Sequence, residues 1–217
     1  MVFTDISKIV VSVGRCAPTG ISLLGTAFFI DKPGLLATAA HVVNHDDNNL
    51  VIIYNKISSI QDYQDPSDGH IEFCAAKIIA INPISDVCIL QIDYAFYSSL
   101  RLSSADNVKV GDSVAVFGYP HSDHGRKVLT QQNTIIGAKV LIESAGLKFK
   151  NLVLNIQSRP GQSGGPIICL ASMQVVGIII GSYAPKSVGG ISIGGIDPQT
   201  LHQTTHAVSA EYFREML

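Results

Sequence analysis

Charge is scarce in this chain. Asp, Glu, Lys and Arg make up 15% of its 217 residues and the net charge is −2. Lys and Arg form no cluster, so the footprint of a nucleic-acid binder is missing and no nucleic-acid partner is expected. Long apolar runs are missing as well. Hydrophobic residues reach 47% and the mean hydropathy is +0.31, yet no uninterrupted run approaches the roughly 18 residues that span a membrane, so membrane insertion is not expected. The N-terminal stretch has no basic segment followed by a long apolar one, and Ile9-Val10-Val11 is too short for a signal peptide. The expectation is a cytoplasmic chain, or an exported one if a signal has been removed. Cysteines are few: Cys16, Cys74, Cys88 and Cys169. Their spacings match no zinc pattern, and the last three lie in apolar strand contexts that suit small core residues. His121-Ser122-Asp123-His124 follows a Gly-Tyr-Pro turn and has no evident third ligand, so no metal is expected there.

What is present is a succession of short, β-rich apolar runs. A chain of this length has room for one large β domain or two small ones. Lys8–Val13 opens the series. Gly20–Ile30 and Gly34–Thr38 read as a hairpin turned by Asp31-Lys32-Pro33-Gly34, and Ala39–Val43 as a short helical turn. Leu50–Tyr54, Ile71–Ile81 and Val87–Ile92 follow, with a polar loop over Ser58–His70. Asp93–Lys109 reads as a linker. The second half carries strands at Ser113–Phe117, Val128–Ile142, Leu152–Ile156, Ile167–Leu170 and Val175–Ser182. Pro185–Gln199 is a Gly-rich loop. Ala207–Leu217 has helical spacing, with Ser209 as a candidate cap.

One loop stands out: Arg159-Pro160-Gly161-Gln162-Ser163-Gly164-Gly165-Pro166, between two of those strands. Three glycines around a serine let successive N–H groups converge into a nest for negative charge. A hydroxyl beside such a nest is where acyl transfer places its nucleophile. Upstream, Leu35–Val43 is an apolar run containing His41, and Ile84-Ser85-Asp86-Val87 sets an aspartate at the entry of an apolar strand. A base, an acid and a nucleophile thus follow in the order His41, Asp86, Ser163, which is one of the three chain orders known for a Ser-His-Asp triad. Read alone, the loop is a glycine-rich turn, His41 a packed core residue and Asp86 a turn residue; the three contexts in this order favour the triad.

Thr38-Ala39-Ala40-His41, Asp86-Val87-Cys88-Ile89-Leu90 and Gly161-Gln162-Ser163-Gly164-Gly165-Pro166 resemble the three signatures of trypsin-like serine proteases. Gly25-Thr26-Ala27-Phe28 and Gly111–Pro120 are similar to the Deg/HtrA branch. The resemblance runs along the whole chain. It implies an all-β fold of two six-stranded antiparallel barrels with a short C-terminal helix. Residues 1–217 would form one peptidase domain, with His41 and Asp86 in a 1–100 barrel and Ser163 in a 110–217 barrel. The PDZ domain that often follows in this branch is not expected, the chain ending at Leu217. Secreted relatives often carry a cysteine directly after the histidine and another in the serine loop; Val42 and Arg159 stand at those positions, so no disulfide framework is expected.

The implied activity is peptide-bond hydrolysis through an acyl-enzyme, without a cofactor, on a protein or peptide substrate. Gly161 and Ser163 would supply oxyanion-hole N–H groups. Gln157 and Ser158 would line the base of the specificity pocket, Ile180, Gly181 and Ser182 one wall, and Thr205 and His206 the far side. None is acidic, so the implied preference is for an uncharged small or aliphatic residue before the scissile bond. Gln162 stands where trypsin-type zymogens need an acid, which predicts activity without N-terminal cleavage. Two alternatives stay open: a catalytically silent homologue that binds peptides, and a processing protease of narrow specificity. Relatives of the Deg type often trimerise, so a homo-oligomer stays open too, with no trimer determinant legible.

Overall fold

Two short hydrophobic strands joined by a tight turn bury one face only when further strands close the sheet around them. This chain does so twice. The computed structural model describes residues 5–183 and 204–217, without the side chains of Ser182 and Tyr183. After a single helical turn, α1 (Ile6–Ile9), come β1 (Val10–Ala17), β2 (Gly20–Phe29), β3 (Leu35–Thr38), α2 (Ala40–Val43), β4 (Leu50–Ile53), β5 (Phe73–Asn82) and β6 (Val87–Ile92). They close an antiparallel barrel in the order β1-β2-β3-β6-β5-β4. The second barrel uses β7 (Ser113–Gly118), β8 (Thr130–Ser144), β9 (Leu147–Leu154), β10 (Pro166–Cys169), β11 (Val175–Tyr183) and β12 (Thr204–Ser209), in the order β10-β11-β12-β9-β8-β7. A short helix, α3 (Glu211–Arg214), ends the chain. The fold is the one the sequence implies.

The interior of the second barrel is aliphatic: Val114, Val116, Ile136, Leu152, Ile167 and Val176. The first barrel's core does not stop at its own strands. Val10, Phe28 and Leu36 share one buried cluster with Phe117, Tyr119, Leu129 and Ile178 of the second half. This shared core fixes the barrels against each other, and the loops that meet above it are held at set distances.

The sequence reading differs from the structure at both ends. Lys8 opens no strand; it sits in α1, and β1 starts at Val10. Ala207–Leu217 is not one helix. Thr204–Ser209 forms β12, paired with β11 on one side and β9 on the other, and only Glu211–Arg214 is helical. Val208 and Tyr212 are four apart and mimic a helical face, but the barrel needs a sixth strand to close, and that tertiary requirement overrides the local spacing. Ser209 does not cap the helix; its hydroxyl accepts the Ala105 N–H at 2.9 Å. The loop read at Pro185–Gln199 lies outside the described residues.

Candidate active site

His41 sits in α2, a single turn between β3 and a left-handed Asn44 (φ 50°). Arg15 of β1 pins the loop beyond it. Its guanidinium donates to the Asp46 carboxylate at 2.9 Å and to the carbonyls of Val43, Asp46 and Asn48. The Asn48 N–H groups and Arg15 hold the Asp46 carboxyl below the usual range. The acidic loop thus serves the histidine helix as an anchor.

Asp86 adopts φ 58° at the end of a turn, a left-handed conformation that Asp tolerates better than most residues. The turn is built by Asn82, whose side-chain Oδ1 accepts the N–H groups of Ile84 and Ser85. This aims the carboxylate back at α2. Oδ1 accepts the His41 backbone N–H at 2.9 Å, and Oδ2 lies 2.6 Å from His41 Nδ1. The Asp86 carbonyl also accepts the Ala40 N–H at 3.2 Å. One aspartate therefore fixes both the backbone and the ring of the histidine. With the carboxylate at Nδ1, that nitrogen carries the proton and Nε2 is the basic one.

Ser163 comes from the other barrel. Its carbonyl accepts the Thr26 N–H at 2.9 Å, Gly164 N–H donates to Ile179, and Ile179 N–H donates to Gly165. Gly25 lies between the histidine helix and the serine loop. A Cβ there would stand 2.9 Å from Val42, the residue after His41, and 3.1 Å from the Ser163 carbonyl. Only a glycine lets the histidine helix and the serine loop approach this closely. Among the described residues, no hydrogen bond joins the Ser163 hydroxyl to the His41 ring, and the ring's own bond runs to Asp86. In unliganded sites the nucleophile–base bond is often long and tightens with substrate.

The loop around Ser163 has a defined orientation. The Pro160 carbonyl accepts the His121 N–H at 2.7 Å. A trans peptide points its C=O and N–H in opposite directions, so the N–H of Gly161 faces away from His121. Neither Gly161 nor Ser163 donates its N–H to a backbone carbonyl among the described residues. Gly161 is at φ 91°, and an added Cβ would overlap Ser122 Oγ and the Tyr119 carbonyl. The Gly161 carbonyl accepts the Thr26 hydroxyl at 2.7 Å. Gln162, 1% exposed, takes the Arg159 N–H on its amide oxygen at 2.7 Å and donates to Gln132 at 3.0 Å.

The pocket residues form two groups. Gly181 and Ser182 pair with His206 and Thr205 across β11 and β12, two residues beyond the Ile179 that holds the serine loop. Thr205 is fully buried; its hydroxyl accepts the Ser158 N–H and donates to the Ile156 carbonyl, both at 2.8 Å. It shapes the 156–158 segment from behind. Gln157 and His206 are partly exposed beside it, and burial lowers the His206 pKa.

The profile of the trypsin-like peptidase domain matches residues 25–178. The chain belongs to the trypsin-like peptidase family. A "Probable periplasmic serine endoprotease DegP-like" of Pseudomonas fulva is 30% identical over 160 residues, 71% of this chain and 28% of the relative. An uncharacterised protein, y4bJ of Sinorhizobium fredii, is 28% identical over 196 residues, 88% of this chain and 27% of that protein. This chain thus spans about a quarter of the length of the curated relatives it matches. The active form of the Rv3671c protease from M. tuberculosis superposes with a TM-score of 0.68 at 22% identity, over 97% of this chain and 80% of the other; that likeness speaks for the fold. Within the family, the chain is similar to DegP-like endoproteases over 71% of its length. Its support residues Arg15, Thr26, Asn82, His121 and Thr205 carry no motif of their own in the sequence apart from Thr26, which lies in the Gly-Thr-Ala-Phe segment.

Proposed function

We propose that this chain is a serine endopeptidase with Ser163 as nucleophile, His41 as base and Asp86 as the group that orients it. The observation carrying this reading is the double grip of Asp86 on His41, in a chain whose serine loop meets the same glycine as the histidine helix. His41 Nε2 takes the proton of Ser163 Oγ as that oxygen bonds to the substrate carbonyl carbon. The imidazolium is stabilised by Asp86, and the Gly161 and Ser163 N–H groups receive the oxyanion. The C–N bond then breaks, the amine leaves with the proton from His41, and Ser163 holds the acyl group. Water, deprotonated by the same nitrogen, releases the acid and restores the serine. No cofactor enters these steps.

The pocket has no carboxylate among Gln157, Ser158, Ile180, Gly181, Ser182, Thr205 and His206, which supports cleavage after uncharged small or aliphatic residues. Gln162 braces the loop through its own amide, which supports activity without zymogen cleavage. All four cysteines are free, and burial with the Asp86 carboxylate beside it pushes the Cys88 thiol up to about 12. Unpaired thiols fit a reducing compartment, and we place the protein there; cell fractionation checks this.

A fluorophosphonate probe tests the chemistry. Wild type labels, and Ser163→Ala and His41→Ala do not. Losing either residue lowers turnover by roughly 10⁴–10⁶-fold. Labelling that persists in Ser163→Ala overturns the assignment. A folded wild type that never labels points to a peptide-binding homologue. Cleavage-site profiling on a denatured proteome tests the pocket, where dominant cleavage after Lys or Arg refutes it.

A further inference from the structure

We infer that residues 54–72 are a strap that holds the oxyanion peptide in register, with Gln64 and Lys127 as positioning residues. This rests on the function proposed above. β4 and β5 are neighbours in the sheet and need only a short turn, yet Tyr54 to Glu72 intervene. The excess chain leaves the first barrel and reaches the second.

Its near end is tied to its own barrel. Asn55 Nδ2 donates to the carbonyls of Ser7 at 2.5 Å and Val10 at 2.8 Å, and Ser7 Oγ donates to the Ser58 carbonyl at 3.1 Å. The strap also grips residues 119–129 at three points along its length. The Tyr119 hydroxyl donates to Asn55 Oδ1 at 2.6 Å. Lys127 Nζ donates to the carbonyls of Asp68 at 3.2 Å and His70 at 3.1 Å. Gln64 bonds both backbone groups of Leu129, each at 2.8 Å.

Between those points lies the turn whose His121 N–H holds the Pro160 carbonyl, and whose Tyr119 carbonyl and Ser122 Oγ occupy the space a Cβ on Gly161 would need. Ser122 Oγ is buried without a hydrogen-bond partner, so among the described residues this turn contacts the loop by packing and by the His121 bond. Tyr119 ties the start of the turn to Thr26 and Val10, so it is the position of its far end that depends on the strap.

The strap holds it by polar contacts. No residue from 55 to 72 is buried, and a cavity of about 200 Å³ lined by Tyr54, Ile57, Tyr63, Tyr119 and Lys127 lies beneath it. A segment with so little buried surface sits at the low-stability end of a fold and opens without unfolding the barrels. When it lifts, the 120–126 turn is released, the Pro160–Gly161 peptide is free to rotate, and the Gly161 N–H leaves the oxyanion site.

The double variant Gln64→Ala/Lys127→Met tests this, beside wild type, by amide hydrogen exchange and by steady-state kinetics on a peptide ester. Circular dichroism confirms that both keep their strands. The strap predicts faster exchange across 159–165 and a lower kcat at nearly constant KM. If a tenth of molecules keep the peptide correctly turned, kcat falls about tenfold. Unchanged exchange in 159–165 together with an unchanged kcat overturns the proposal, as does a loss confined to KM. If wild type neither hydrolyses the ester nor takes the fluorophosphonate, the protease reading fails by itself, and the exchange arm still decides whether the strap holds the loop.

Discussion

Thr26 is the test of how the two barrels are joined at the site. It is fully buried. Its hydroxyl donates to the Gly161 carbonyl at 2.7 Å and accepts the Tyr119 N–H at 3.2 Å. Thr26→Val keeps the shape and removes the hydroxyl. Two backbone groups then stay buried without a partner, at about 1–3 kcal/mol each, so about 2–6 kcal/mol together. For a chain of this size a kcal/mol moves Tm by about 2–4 °C, so Tm falls by at least about 4 °C. The comparison variant is Thr38→Val, which loses only the bond from the Thr38 hydroxyl to the Thr26 carbonyl at 2.7 Å and is expected to fall less. Differential scanning calorimetry gives both values, and a fluorophosphonate rate measured at 25 °C reports the loop. Thr26→Val should label more slowly than Thr38→Val, because its lost bond lies on the oxyanion peptide. A Thr26→Val protein that melts within about 1 °C of wild type and labels at the wild-type rate would refute the role of this hydroxyl.

Asp86→Asn should fold, since Asn also tolerates the left-handed φ of 58°, and should lose roughly 10⁴-fold in kcat, because an amide favours the wrong His41 tautomer; an ester assay across pH checks it. Gly25→Ala places a methyl 2.9 Å from Val42 and 3.1 Å from the Ser163 carbonyl, so it should separate base from nucleophile and cut fluorophosphonate labelling while the circular dichroism spectrum persists. For His206, burial lowers the folded pKa below the ordinary value of 6.5. The unfolded chain then binds more protons just below that pH, so this contribution to stability is present above 6.5 and is lost as pH falls toward the folded pKa. Urea midpoints measured from pH 7.5 to 5 should fall less steeply in His206→Asn than in wild type; equal slopes would refute the contribution.

The site was legible in part because its chemistry sits in short local motifs. His41, Asp86 and Ser163 each lie in a stretch whose composition names its job: a histidine beside a strand, an acid at a strand entry, a serine among glycines. The support was not. Arg15 looks like a surface cation in a strand, and only the folded chain shows it wrapped around the loop after α2. Gln162 was read for the acid it is not; its amide turns out to bond Arg159 and Gln132. Thr205 was read for the far side of the pocket; its buried tie between Ser158 and Ile156 had no signal in the sequence. The C-terminal strand was missed because Ala207–Leu217, which overlaps its end, carries a spacing compatible with a helix, and the vacancy between β9 and β11 is not a local property.

Local chemistry decided which residues could act: an apolar, charge-poor chain must bury its strands, and three motifs in one order offer a histidine, an aspartate and a serine. Whether they act together was decided elsewhere. Asp86 meets His41 across 45 residues of sequence, Thr26 meets Gly161 across 135, and Tyr119 meets Asn55 across 64. Those contacts exist because two closed barrels share one core, and a hydrogen bond between distant segments has no signature until packing brings its donor and acceptor together.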